Sequence, residues 1–230
     1  MVSIAHAIAA VVYILAGVGI VYTVVSAEVV RRKLAPSGPS AGADTPATMI
    51  KPLHGLEPNL EQDLAGFLAQ DYAAPVQLLI GVQDPADPAV AAARRVLARF
   101  PEADGELVVD GEIHGSNRKI SNLINLVGRA RHELLVFSDA DIAVGPDYLR
   151  RVAQAAAEPG VGVVTCLYFG QARTGFWSQL AAMGISYGFL PNVALGVAIG
   201  AAQPWWADPT GRACGGQPRP TPRCRRCRRR

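Results

Sequence analysis

Charged side chains are scarce in this chain, at 18% of its 230 residues. Two long stretches almost lack them: residues 2–27 hold no Asp, Glu, Lys or Arg and a single His, His6, and residues 174–207 hold no charged side chain. Such stretches are too apolar for a soluble enzyme, so we expect contact with a membrane. Cysteine is scarce too, and three of the four cysteines lie within the last 24 residues, which excludes a disulfide framework.

The first apolar stretch predicts an uncleaved membrane anchor over residues 1–33. A helix of its 26 residues is about 39 Å long, enough to cross a hydrocarbon core of about 30 Å. Arg31, Arg32 and Lys33 follow it and no Lys or Arg precedes it, so we expect the N-terminus outside and the rest of the chain in the cytoplasm. A cleaved signal peptide fits less well, because its charges come first and its apolar core is shorter.

Three other segments have compositions unlike that of a folded domain. Residues 34–47 are rich in Pro, Gly and Ser and predict a linker. Residues 174–206 carry many aromatic side chains around Pro191 and predict a pair of interfacial helices, with a membrane span or a buried core segment as alternatives. Residues 207–230 carry eight arginines and one acid and predict a disordered basic tail.

The basic tail has two other interpretations. Its arginines offer a surface for nucleic acid or anionic lipid, and Cys224 with Cys227 offers half of a zinc site. A closed zinc site needs four ligands, and no His lies near these cysteines. We therefore expect neither zinc nor a nucleic-acid partner.

Between residues 48 and 173, strand-like and helix-like patterns alternate, which predicts an α/β domain with a mainly parallel sheet. The predicted strands are 48–53, 76–82, 107–110, 133–138 and 161–167, and the predicted helices are 56–70, 88–100, 117–130 and 146–156. The carboxyl ends of parallel strands share one edge of the sheet, and ligands bind in the crevice outside that edge. Polar side chains at these ends are therefore the candidate site residues.

Two carboxylates separated by one residue, Asp139 and Asp141, follow the apolar strand 133–138. Mg²⁺ and Mn²⁺ are commonly held by one or two carboxylates together with substrate phosphates. The pair therefore predicts a metal–diphosphate site, for which a nucleotide-sugar is one natural ligand. The alternative is a loop with two solvated aspartates.

Other polar residues follow the predicted strands at the same edge. Asp84 is placed to accept hydrogen bonds from a nucleoside, and Lys119 or Arg118 to neutralise a diphosphate at a helix N-terminus. Lys51 and Glu57, on either side of the first strand's end, are further donor-binding candidates. Each has a simpler alternative: Asp84 and Asp87 could cap the next helix, and Lys119 could be a solvated surface residue.

Several motifs, in one order from the anchor to about residue 204, resemble those of the ceramide glucosyltransferase-like branch of the family 2 glycosyltransferases. The resemblance is greatest to the bacterial hopanoid-biosynthesis-associated glycosyltransferases. The motifs are Lys51-Pro-Leu-x-Gly-Leu-Glu-Pro, Gln70-Asp-Tyr, Gly81-Val-x-Asp-Pro-Ala-Asp-Pro, Val108-Val-Asp, Gly115-x-Asn-x-Lys119-x-x-Asn122-Leu, Ser138-Asp-x-Asp-Ile and Pro159-Gly-Val-Gly-Val-Val-Thr-Cys-Leu-Tyr.

This resemblance implies a GT-A fold with an N-terminal transmembrane helix in the bacterial inner membrane. It also implies a nucleotide-diphosphate sugar donor, a membrane lipid hydroxyl as acceptor, and Mg²⁺ or Mn²⁺ at Asp139 and Asp141. Asp84 corresponds by position to the nucleotide-contacting aspartate and Lys119 to the lysine near the donor. The expected reaction is inverting transfer from UDP-glucose or UDP-N-acetylglucosamine to a hopanoid or ceramide-like lipid.

The family pattern is lost near Trp205 and Trp206, where arginine, proline and cysteine take over. Such a switch is typical of an out-of-frame reading, so we expect residues 207–230 to be out of frame and the general base to be missing. Activity should then be impaired, and a membrane-tethered protein that binds a nucleotide-sugar without turnover is the alternative. A basic-tail adaptor ranks third.

Overall fold

The computed structural model describes residues 2–33 and 45–199, which divide between two compact units. The helical unit comprises residues 2–33 and 158–199, and the sheet unit comprises residues 45–157. Most of the predicted linker 34–47 and the whole of the predicted tail 207–230 lie outside the described residues. The predicted frame change also lies outside them.

The sheet unit is a four-stranded parallel sheet with helices between its strands, in the spatial order β3-β2-β1-β4. This arrangement confirms the predicted α/β class. The strands are β1 Ala47–Pro52, β2 Val76–Val82, β3 Asp104–Val109 and β4 Leu134–Phe137. The helices are α2 Leu60–Leu68, α3 Pro88–Arg99, α4 Arg118–Val127 and α5 Tyr148–Ala156.

Helices cover both faces of the sheet. Successive strand residues point to opposite faces, so neighbouring residues lie in different cores. Met49 lies in the larger core, which includes buried residues of α2, α3 and α5. Its neighbour Ile50 lies in a smaller core with Leu79 of β2 and Leu126 of α4. Each such fully buried aliphatic side chain contributes roughly 1.5–3 kcal/mol relative to exposure.

The predicted strand 161–167 is wrong, since the structure forms no strand over these residues. The run of apolar and β-branched residues satisfies the sequence pattern of a strand, but a strand also needs a neighbour with which to pair. Val163 is 66% exposed, and Cys166, which the same prediction placed in an apolar strand, is exposed as well.

The helical unit contains α1 (Val2–Lys33) and a second helical stretch made of α6 (Gly175–Met183), a π-helical segment (Gly184–Phe189) and α7 (Leu190–Ala198). Tyr22 on α1 donates a hydrogen bond to Asn192 Oδ1 on α7 over 2.7 Å. Two described helices, Ile4–Arg32 and Gly175–Ala198, are long and apolar enough to cross a membrane. The N-terminal apolar helix is thus confirmed.

The predicted pair of interfacial helices is wrong over the described residues 174–199, where one continuous helical stretch forms. The helical backbone continues through Pro191, which occupies the first turn of α7 directly after the π-helical segment. Proline removes a backbone donor, and a change of hydrogen-bond pattern in the preceding turn accommodates that loss without a break. The second apolar segment is therefore a single helical stretch of 24 residues.

Candidate functional site

The order of the strands places a crevice between β1 and β4. The chain builds β2 and β3 on one side of β1 and then crosses to add β4 on the other side. In open parallel sheets, ligands bind outside the carboxyl ends of the strands at such a reversal. Asp139 and Asp141 follow the end of β4 directly, so the predicted acidic pair lies beside this crevice.

The structure brings Lys119 and Asp139 together, with Lys119 Nζ 2.5 Å from Asp139 Oδ1. The helix that carries Lys119 is capped by Asn117, whose Oδ1 accepts a hydrogen bond from Ile120 N. Both partners of the ion pair are about half exposed, and exposed pairs contribute at most about 1 kcal/mol. The pair can therefore open readily when a ligand offers either group a stronger partner.

The seating of α4 depends on Gly81 in β2. A Cβ atom at that position would collide with the side chains of Asn122 and Leu126, which α4 presents to the sheet. Asn122 is buried and donates from Nδ2 to the carbonyl of Gly81 over 2.9 Å. This contact fixes α4 against β2, and with it the distance between Lys119 and the loop after β4.

The acidic pair fits a divalent cation that shares its coordination with a phosphate ligand. Asp139 and Asp141 are both exposed carboxylates. No group of three His, Cys, Asp or Glu residues suited to a metal occurs in the part of the chain that the structure describes. Two carboxylates are the protein contribution usual for Mg²⁺ bound with substrate phosphates, whereas zinc requires three or four protein ligands.

Lys51 lies inside the sheet unit, beneath the loop that carries the acidic pair. It is 0% exposed, and its Nζ donates to the carbonyls of Asp139 over 2.7 Å and of Ile142 over 3.2 Å. The same Nζ lies 4.0 Å from the centroid of the Phe67 ring. This geometry favours a role in holding the loop over the direct donor contact predicted from the sequence.

Burial lowers the pKa of Lys51 from its usual 10.5 to about 8, because desolvation disfavours the ammonium. Three acids, Asp63, Asp141 and Asp139, act in the opposite direction. Asp63 is itself only 3% exposed, so a buried acid and a buried base lie close to one another. The sequence analysis missed Asp63, although it shares the apolar face of α2 with Leu60 and Phe67, where an acid signals a buried partner.

Asp84 and Asp87 divide the roles predicted for the loop after β2. Asp87 caps α3 by accepting from Ala89 N over 2.8 Å, and it also accepts from Gly55 N over 2.9 Å. Asp84 is exposed, with its Oδ1 accepting from Ala86 N over 2.8 Å. Asp87 is therefore the residue that caps α3, and the nucleoside-binding role of Asp84 stays a prediction.

Glu57 lies exposed in the loop between β1 and α2, and its carbonyl accepts a hydrogen bond from Leu60 N. Its donor-binding role stays a prediction. Arg118, the alternative to Lys119, is exposed at the first residue of α4. Of the two basic residues, Lys119 is the one whose side chain contacts the acidic loop.

Comparison with known proteins assigns the chain to a family. Residues 11–204 match the family described as Glycosyl transferase family 21. The chain belongs to this family. Together with the parallel sheet, membership confirms the resemblance to ceramide glucosyltransferase-like proteins and the predicted GT-A fold.

Among individual relatives, the chain is 28% identical over 130 residues to ceramide glucosyltransferase 1 of Caenorhabditis elegans, a match that covers 56% of this chain and 28% of that protein. It is 29% identical over 131 residues to the ceramide glucosyltransferase of Gibberella zeae, covering 53% of this chain and 25% of the relative. The chain thus spans about a quarter of the length of the curated relatives it matches.

Two solved structures are similar to the chain at a TM-score of 0.45 each. One is the mannosyltransferase PcManGT from Pyrobaculum calidifontis in complex with GDP-Man and Mn²⁺, at 24% identity over 68% of this chain and 46% of that one. The other is S. aureus TarS in complex with UDP-GlcNAc, at 14% identity over 56% of this chain and 36% of that one.

Proposed function

We propose that this protein acts in the transfer of a sugar from a nucleotide-diphosphate donor to a membrane lipid hydroxyl, with Mg²⁺ or Mn²⁺. The observation that carries the proposal is the pairing of Lys119 on α4 with Asp139, which lies with Asp141 in the loop after β4. The donor we propose is UDP-glucose or UDP-N-acetylglucosamine, and the acceptor is a hopanoid or a ceramide-like lipid.

Each residue has a defined task in this proposal. Asp84 accepts hydrogen bonds from the nucleoside, and Lys119 turns from Asp139 to the diphosphate, whose negative charge grows as the sugar leaves. Asp139 and Asp141 would hold the divalent ion, which would supply positive charge to the leaving diphosphate. Inversion needs a base for the acceptor hydroxyl, and such a base is worth about 10²–10⁴-fold in rate.

The predicted impairment of activity stays a prediction, because the segment on which it depends lies outside the described residues. We further propose that the sheet unit works on the cytoplasmic side of the bacterial inner membrane. The charge pattern supports this orientation, since Arg31, Arg32 and Lys33 end α1 and basic residues stay on the cytoplasmic side. The two long apolar helices would then meet the bilayer.

Calorimetry on the detergent-solubilised full chain tests the donor site. Mn²⁺-dependent binding of UDP-glucose or UDP-N-acetylglucosamine is expected, with GDP-mannose as a comparison ligand. Asp141→Asn should weaken this binding at least about tenfold, because it removes one metal ligand. The matched control is Asp147→Asn, which changes an acid six positions further along, at the start of α5.

Binding that is independent of metal, or equal in Asp141→Asn and the unaltered chain, would contradict the proposal. Transfer of radiolabelled sugar to lipid in membranes that contain the chain separates the enzyme from the alternative. Binding without transfer would favour a tethered nucleotide-sugar-binding protein.

A further inference from the structure

The shape of the acidic loop depends on a residue far away in sequence. The carbonyls that Lys51 Nζ contacts belong to Asp139 and Ile142, at the two ends of the four-residue segment 139–142. The loop's own closing hydrogen bond, from Ile142 N to Asp139 O, is long at 3.4 Å. The ammonium therefore supplies the stronger of the contacts that hold the two ends of the loop together.

A buried ammonium is costly, and the structure surrounds this one with compensating groups. The ring of Phe67 lies 4.0 Å from Nζ and offers a cation–π contact. Asp63 provides an opposite charge that is itself buried. An apolar side chain of similar size would fill the space without this cost, so packing alone does not account for a lysine here.

The contacts of Lys51 leave the acidic side chains available. Its two acceptors are main-chain oxygens, while the carboxylates of Asp139 and Asp141 remain exposed. A positive charge under a cation site opposes metal binding by repulsion, but Asp63 offsets that charge. The remaining effect of Lys51 is geometric: it fixes the backbone from which both carboxylates extend.

We propose that Lys51 is a positioning residue, whose ammonium fixes the backbone of residues 139–142 so that Asp139 and Asp141 can hold one divalent cation. This inference rests on the proposed metal site and deepens it. Lys51 contacts neither the donor nor the cation in this role. Partners of this kind, which orient metal ligands, typically change metal affinity 10–100-fold when removed.

The test compares Lys51→Met with Thr48→Val in the detergent-solubilised full chain. Thr48 lies three residues earlier on β1, is also 0% exposed, and donates a hydrogen bond to Gln77 Oε1 over 2.9 Å. Both variants remove a buried polar group from one strand, but only Lys51 touches the acidic loop. Mn²⁺ binding in the presence of saturating UDP is measured by electron paramagnetic resonance, and backbone exchange of residues 139–142 by mass spectrometry.

Lys51→Met should weaken Mn²⁺ binding at least about tenfold and speed exchange in residues 139–142, whereas Thr48→Val should change neither. Equal Mn²⁺ affinity and equal loop exchange in Lys51→Met and the unaltered chain would overturn the inference. So would an equal loss in Thr48→Val. Should Lys51→Met not fold, Lys51→Gln takes its place, since its uncharged amide is too short to replace the ammonium.

Failure of the proposed function gives a different result. In that case the unaltered chain itself does not bind Mn²⁺ with UDP, and loop exchange alone judges Lys51. Faster exchange in Lys51→Met but not in Thr48→Val would then support Lys51 as the residue that fixes the loop, although the proposed metal site would be wrong. Unchanged exchange would contradict both the positioning role of Lys51 and the metal site.

Discussion

The two ends of β1 each bury a polar side chain, and each side chain fixes one end of β4. At the amino end, Thr48 donates to Gln77 Oε1 and accepts from His132 N, while Gln77 Nε2 donates to Arg129 O. This network fixes the chain where it enters β4. At the carboxyl end, Lys51 fixes the chain where it leaves β4.

The two ends differ in charge, although Thr48 and Lys51 are equally buried at 0% exposure. The amino end performs its structural task with neutral hydroxyl and amide groups, which need no compensating charge. The carboxyl end performs a similar task with an ammonium, which needs Asp63 and Phe67 beside it. Holding an end of β4 in place therefore does not require an ammonium. The charged contact occurs at the end of β1 where the acidic pair lies.

The largest effect that would test this comparison is on Asp63, the buried acid near Lys51. Asp63→Asn should destabilise the sheet unit by about 3 kcal/mol, because it leaves a buried ammonium with less compensation. The urea dependence of cleavage in a short protease pulse measures this loss. The control is Glu61→Gln, two residues earlier on α2, whose partners Arg95 and Arg99 form exposed pairs worth at most about 1 kcal/mol.

The double variant Asp63→Asn with Lys51→Met sharpens the same comparison. If the loss in Asp63→Asn comes from the unpaired ammonium, removal of that ammonium should restore part of the stability. A double variant that loses the sum of the two single losses would show that Asp63 and Lys51 act independently. The carboxyl end would then not be a coupled charged pair.

Most of the sheet unit follows from local sequence patterns. The apolar run of β2 is continuous because helices cover both faces, and its predicted bounds 76–82 match the structure. Helix α2 begins later than predicted, because residues 58–59 form a turn in which Asn59 takes a positive φ of 65°. The strand predicted at 161–167 fails because pairing is not a local property.

The candidate site also contains residues that local sequence patterns predict and residues that they do not. Asp139 and Asp141 are recognisable because two acids follow an apolar strand, and this signal lies within ten residues of sequence. Lysine is among the residue types least often buried, so the sequence favours a surface position for Lys51. Its burial depends on contacts to carbonyls 88 and 91 residues away, which no local pattern encodes.

At the neutral end, Gln77→Leu should destabilise the sheet unit by about 2 kcal/mol, since it leaves buried polar groups without partners. Gln77 is 1% exposed, and its Oε1 also accepts from Arg131 N over 3.0 Å. Because the network is remote from the acidic loop, Mn²⁺ affinity in the presence of UDP should not change. Weaker Mn²⁺ binding in Gln77→Leu would break the distinction between the two ends of β1.

The smallest expected effect is a pH dependence that only the charged end should show. The pKa of Lys51 is about 8 in the folded protein and 10.5 when exposed, so between these values the unfolded chain binds more protons. Stability should therefore rise with pH across this window, by about 1 kcal/mol from about pH 7.5 to about pH 9. The urea midpoint in protease pulses, measured with EDTA at both pH values, reports it.

Lys51→Met should lose this rise, because methionine does not titrate, while Gln77→Leu should keep it. The sign of the change in stability with pH distinguishes two interpretations of the buried ammonium. If its hydrogen bonds outweighed desolvation, the folded pKa would lie above 10.5 and stability would fall as the pH passed through that range. A rise that disappears only with Lys51 would show that the protein retains a charge there at a cost in stability, which an acidic loop with a purely structural role would not require.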